Sequence, residues 1–185
     1  MQLTVSKRTP GKKTEIKKIR REGNIPAIFY SQGKAGEEIV VNGIEFNGLV
    51  KQVKPGCLST TVFSLKIGGK EIKALLKDIQ YEITTYNVIH LDFIELVENV
   101  PVNLNVPLQF TGTVDCIGVK LGGILRPVIR TVKVSCLPKD IPTEFELDVR
   151  DLGIRQSRRL SDIKMPPEVR PLSSLSEVAV VVAKR

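Results

Sequence analysis

The chain has 185 residues, 42% of them hydrophobic and 26% charged, with a formal net charge of +8. That length can close one large core or two small ones, and a positive surplus of this size favours polyanionic partners. Three cysteines without CxxC spacing and a single histidine leave no Cys/His zinc pattern. No apolar stretch has the length of a membrane span or the form of a signal peptide core. The expectation is a cytoplasmic protein with reduced, buried thiols and no membrane.

The charge is unevenly spread. Residues 1–92 hold 15 Lys and Arg against 9 Asp and Glu, whereas residues 93–185 hold 13 against 11. Within the first half, Lys12, Lys13, Lys17, Lys18, Arg20 and Arg21 place six cations in ten residues. Thr9 as N-cap with Pro10 in the first turn, and Gly23 followed by Asn24 and Pro26 as the stop, predict a helix of about three turns. Only Ile16 and Ile19 give that helix an apolar side.

Further along, "PAIFYS" and "EEIVV" read as strands, and Asn42 as the cap of a short helix carrying Ile44, Leu49 and Val50. "LSTTVFSLKI" and "KEIKALL" flank Gly68-Gly69, a two-residue hairpin signal. "DIQYEI" and "NVIHLDFI" bring the count to about six strands with two short helices, which predicts a small closed barrel. After Ile94 a connector, "ELVENVPVNLNVP", leads into β-type segments broken by Gly and Pro: "PLQFTG", "GVKLGGIL", "RTVKVSCLP", "TEFELDV" and "SEVAVVVAKR". The expected class is mainly β, with a barrel domain over residues 1–95 and an all-β domain over residues 96–185. The break is placed between Glu95 and Pro101.

Several groups could carry chemistry. The basic helix reads either as a solvated face or as a phosphate-binding surface, and the shortage of acidic partners at i,i+4 favours the second. In "NVIHLDFI", alternation turns Ile89, Leu91 and Phe93 inward and sets His90 and Asp92 side by side outside. Such a pair is an ordinary polar pair or a reader of a base edge or ribose 2′-OH. Catalysis would need a nucleophile elbow or a comparable Ser or Cys motif, and the sequence has none. In "LLKDIQYEI", Asp78, Gln80 and Glu82 share a face opposite Ile79 and Tyr81, and Gln80 could read a base. Tyr30 is either a core residue or an RNA-stacking one. "KLGGIL" lacks the Lys-Ser/Thr ending of a phosphate loop, so Gly122-Gly123 is read as a turn or bulge. "RQSRRL" (residues 155–160) is a second, smaller basic cluster, read as a solvated loop in preference to an RNA contact.

Taken together, "GKK…IKKIRREGNIPAIFYS", "GKEIKALLKDIQ" and "HLDF" resemble the bacterial large-subunit ribosomal protein that binds 5S rRNA. "VPLQFTG", "GVKLGGIL", "VSCLPKDIPTEFELDVRDLGI" and "LSDIKMP" resemble the second domain of its long form, the general stress protein CTC. The resemblance implies a six-stranded barrel related to an anticodon-binding domain of glutaminyl-tRNA synthetase. It also implies binding to a helical region of 5S rRNA in the central protuberance, beside other proteins of the 5S subcomplex and large subunit. The RNA-facing positions it implies are Arg8, Lys13, Lys17, Lys18, Arg20, Tyr30, Gln80, His90 and Asp92. No cofactor, metal, small-molecule substrate or catalysis is expected. Thr14, Glu15 and Ile16 stand where the family tends to have small residues, Lys17 and Lys18 where Arg is frequent, Ser31 where Gly is common, and Arg155 where Gly is usual. A stress-related RNA binder acting off the ribosome, and a hydrolase built on His90 and Asp92, are the competing readings.

Overall fold

The structure is a computed structural model and describes residues 1–8, 11, 13–31 and 35–184. The expected cap at Thr9 and first-turn Pro10 lie outside the described residues, as does Lys12. The chain divides into two compact units, residues 1–100 and 101–185.

In the first unit, β1 (Gln2–Lys7), β2 (Asn24–Tyr30), β3 (Glu37–Asn42), β4 (Val62–Ile67), β5 (Lys70–Tyr81) and β6 (Val88–Glu95) close a barrel in the order β1-β3-β2-β6-β5-β4. Two of the pairings, β1 with β4 and β2 with β6, are parallel. The predicted number of strands is right, but two of the strands differ from the sequence reading. "KEIKALL" and "DIQY" form one twelve-residue strand rather than two. The sixth place is taken by β1, whose alternating Leu3 and Val5 are buried while Gln2, Thr4 and Ser6 face out. Two apolar residues ahead of a basic run make a weak strand signal, and pairing to both β3 and β4 supplies what the local pattern lacks.

Alternation along each strand sends Leu3, Ile39, Val41, Phe63, Leu65, Leu91 and Phe93 into one core. Phe63 and Phe93 meet edge to face, ring centroids 6.1 Å apart. The hairpin between β4 and β5 turns on Gly68 and Gly69, both at positive φ (56° and 86°), as a type I′ turn requires.

Helix α1 (Lys13–Arg21) ends at Gly23, whose φ of 79° is the left-handed stop a glycine permits. Helix α2 (Gly43–Val50) starts at Asn42, whose side-chain oxygen accepts from the backbone N–H of Ile44 (2.9 Å) and Glu45 (3.3 Å). Phe46 anchors it in the core, with Leu49 and Val50 partly buried, whereas Ile44 is left in solvent. Gly43 is required here, because a Cβ would lie 2.1 Å from the Gly23 carbonyl.

The second unit contains β7 (Val102–Thr111), a helical turn α3 (Ile117–Lys120), β8 (Ile124–Pro127), β9 (Thr131–Cys136), β10 (Phe145–Asp148), β11 (Ser157–Arg159), β12 (Arg170–Pro171) and β13 (Val178–Ala183). They form a four-stranded sheet, β10-β7-β9-β12, and a three-stranded sheet, β11-β13-β8. "GVKLGGIL" is not one β segment. Its first half is the α3 turn, Gly122 reverses the chain at φ 87°, and only Ile124 onward is strand. Arg155 holds a left-handed φ of 67°, a conformation that favours glycine, and its N–H donates to the Val182 carbonyl (2.8 Å). The three cysteines are all buried, and burial, followed by Asp140, pushes the Cys136 thiol upward.

All three tyrosines belong to the first unit and the chain has no tryptophan, so tyrosine emission reports that unit alone. Asn42→Ala should lower its unfolding free energy by about 1 kcal/mol in urea titrations followed by tyrosine emission. In the second unit, Arg155→Gly should raise stability by about 1 kcal/mol by removing left-handed strain, measured by the calorimetric transition of that unit.

Candidate nucleic-acid interface

α1 presents no fully buried side chain; Ile16 and Ile19 are half-buried, and the helix packs on β2. Its charges are arranged along the dipole, with Glu15 in the first turn and Lys18, Arg20 and Arg21 in the last, where cations offset the free carbonyls. Part of the charge is therefore structural. Arg20 donates from Nε to the Ile89 carbonyl (3.1 Å) and so fastens the end of the helix to β6. Lys18 lies a loose 3.9 Å from Glu22, both well exposed, a contact worth a few tenths of a kcal/mol at most. Among the described residues, Lys13 and Lys17 have no ionic partner.

The second part of the site is the outer face of the sheet. β5 and β6 pair with Gln80 opposite His90 and Asp78 opposite Asp92, and the register slips between Leu76 and Asp78. That slip is a bulge at Lys77. It explains why Asp78 and Gln80 face outward although Ala74 and Leu76, at the same parity, point into the core. β2 continues the face, since Ile28 is in register with Asp92 on one side and with Glu38 of β3 on the other.

Along this row, His90 Nδ1 sits 2.8 Å from Asp92 Oδ1, off the line of a straight hydrogen bond but close enough to orient the ring. The two side chains lie side by side on the outer row and both are mostly covered, at 18% and 23% exposure. Arg8 is held differently. Its Nη1 lies 2.8 Å from Glu38 Oε2, its side chain is only 13% exposed, and its Nε is buried with no acceptor. Tyr30 is 38% exposed at the end of β2, with the Lys77 ammonium 5.8 Å from its ring centre. Gly36 lies against the ring edge; a Cβ there would come within 3.2 Å of it.

The structure thus brings Gln80, His90 and Asp92 into one cluster, with Tyr30 one strand away and Arg8 reaching it through Glu38. Lys13, Lys17 and Lys18 stand apart on α1, connected to the cluster through Arg20. Lys77 and Glu38 belong to the same face and were not singled out from the sequence, whereas Asp78 was placed there beside Gln80. The bulge had one visible signal, apolar positions that fall on even numbers from Ile72 to Leu76 and resume on an odd one at Ile79. Tyr81, read as lying opposite Gln80 with Ile79, is 47% exposed, because a second register shift follows Gln80. No group of three metal-ligating side chains occurs among the described residues.

A β-barrel carrying a basic helix and a polar outer row describes a class of RNA-associated modules. The Ribosomal L25p family model matches residues 3–93, and that of Ribosomal protein TL5, C-terminal domain, matches residues 101–185. Large ribosomal subunit protein bL25 of Chlamydia pneumoniae is 55% identical over 185 residues, the whole of both chains. The proteins of the same name from Chlamydia trachomatis serovar A and Chlamydia caviae are 54% and 51% identical, again over the whole of both chains. The chain belongs to the Ribosomal L25p family, in the form that carries a TL5-type C-terminal domain. It is therefore a structural ribosomal protein rather than an enzyme.

Asp78 and Asp92 are directly opposed like charges, a destabilising cross-strand pair. Asp78→Asn should stabilise the barrel by about 0.2–1 kcal/mol in the same urea titration, and a loss of stability would show that the pair is compensated in the free protein.

Proposed function

We propose that this chain, a structural protein of the large ribosomal subunit, binds 5S rRNA in the central protuberance through its first unit. In this reading α1 lies on the sugar–phosphate backbone, with Lys13, Lys17, Lys18 and Arg20 displacing counterions. Tyr30, Gln80, His90 and Asp92 address bases and ribose hydroxyls, and Arg8, neutralised by Glu38, positions the edge of the face. The observation that carries the reading is the juxtaposition of two chemistries. Unpaired lysines supply affinity without sequence, while a fixed His–Asp pair opposite a glutamine supplies directional donors and acceptors. An imidazole can both donate to and accept from a ribose 2′-OH, which suits His90 to this role.

We also propose that residues 1–95 act as the RNA-binding domain and residues 96–185 as a separate β domain that meets neighbouring ribosomal components.

The test is a salt titration of the full chain on 5S rRNA and on a structured RNA of similar length and unrelated sequence. Clear preference for 5S rRNA is expected. Lys17→Ala should weaken binding to both RNAs and reduce the magnitude of the log–log salt slope by about 1. His90→Ala should leave the slope unchanged and erode the preference for 5S rRNA. Equal, steeply salt-dependent binding of the wild-type chain to both RNAs would overturn the assignment to 5S rRNA.

A further inference from the structure

Beside this interface lies a cleft of about 370 Å³, walled by the last turn of α1, by α2 and by the end of the β5–β6 hairpin. Clefts of about 300–1,000 Å³ are large enough for a small ligand or a single group of a polymer. Its polar lining is Arg20, Asn24, Asn47, Glu82 and Asn87, with Ile25 and Val88 among the apolar contacts. The three asparagine carboxamides make no hydrogen bond among the described residues. Arg20 is pinned at Nε by the Ile89 carbonyl, which leaves its terminal nitrogens as unassigned donors. The hairpin wall is preorganised. Glu82 N–H donates to the Asn87 carbonyl (2.8 Å), Tyr86 N–H to the Glu82 carbonyl (2.9 Å), and the Thr85 hydroxyl to the Glu82 carboxylate. These bonds hold Tyr86 at a left-handed φ of 56°, rare for a bulky residue, with 79% of its surface in solvent.

The chemistry of the lining selects its occupant. A phosphate needs donors only, and the Glu82 carboxylate on the wall opposes it. A small apolar ligand would leave three carboxamides without partners, at a penalty for each. A planar heterocycle with donors and acceptors on one edge matches three amides, one guanidinium and one carboxylate, with aliphatic walls for its faces. We propose that this cleft receives one unpaired nucleobase of the bound RNA, extruded from the strand that α1 holds. The inference rests on the RNA-binding reading given above and adds a base-reading site at the end of the barrel beyond the His90 row. Tyr86, next to the Asn87 wall, is displayed where the adjoining nucleotide would stack.

Two variants test it on the full chain with 5S rRNA. Asn47→Trp fills the cleft from an exposed helix position, and the double variant Asn47→Ala, Asn87→Ala removes two of its three amides; far-UV circular dichroism in urea checks that each is folded. Base edges are probed in the complexes with dimethyl sulfate for adenine and cytosine and with a carbodiimide for uracil and guanine. In the wild-type complex one unpaired base should be protected, and both variants should expose it again. Affinity should fall about tenfold to a hundredfold, the range for one stacked and hydrogen-bonded base, with the salt slope unchanged. Identical protections in wild type and variants would overturn the proposal, as would variants that bind RNA normally but are lost from large subunits, which would make the occupant a protein. If the wild-type chain fails to prefer 5S rRNA, the RNA-binding reading itself falls and the cleft proposal with it.

Discussion

Everything at the interface depends on the closure of the barrel by its two parallel pairings. β1 with β4 seals the sheet, and β2 with β6 places the strand that follows α1 beside the strand that carries His90 and Asp92. Without the second pairing, Tyr30 and Ile28 would have no defined neighbour, and Arg20 would have no β6 carbonyl to reach. Closure also removes the free edges that a six-stranded sheet would otherwise expose. The Phe63–Phe93 contact fills the interior across which these strands face one another. Site geometry and core packing are therefore two aspects of one constraint.

Within that frame, a one-residue insertion has a large effect. Had β5 run without the bulge at Lys77, strict alternation from Ala74 and Leu76 would have turned Asp78 and Gln80 inward. The bulge reverses the parity of the strand halfway along, so even-numbered Ala74 and Leu76 serve the core while even-numbered Asp78 and Gln80 serve the outer face. It also throws Lys77 toward Tyr30, giving a ring at the edge of the site a fixed cationic neighbour. The same face carries Glu38, Asp92 and Asp78 in register, so its polarity is mixed, in contrast to the cationic surface of α1. Mixed polarity suits discrimination, because directional groups penalise the wrong partner more than they reward the right one.

Much of this was readable from local chemistry. The Gly23 stop, the Asn42 cap and the Gly68-Gly69 turn are each set by backbone requirements that few residues satisfy, and each lies where the sequence puts it. The alternation in "NVIHLDFI" turned Leu91 and Phe93 inward and His90 and Asp92 outward. Where pairing partners decide, the sequence was mute. β1 becomes a strand through β3 and β4, and the merger of "KEIKALL" with "DIQY" depends on β6 accepting a shifted register. The Arg8–Glu38 pair is also a product of pairing, joining residues thirty positions apart. Tyr30 shows the same limit: a tyrosine in an apolar strand reads equally as core or surface until the neighbouring strands fix its parity.

The thin attachment of α1 has a thermodynamic consequence. Nine residues are too few for an isolated helix to persist in water, and among the described residues this one is held by two half-buried isoleucines and one side-chain hydrogen bond to β6. It is thus the part of the barrel unit with least to lose by opening, and its amides should exchange with solvent well before those of β6. A partner that takes up its five cations also completes its folding, and some of the interaction free energy is absorbed in ordering the helix rather than expressed as affinity. In the RNA-binding reading proposed above, the barrel face would be the rigid half of the surface and α1 the adaptable one.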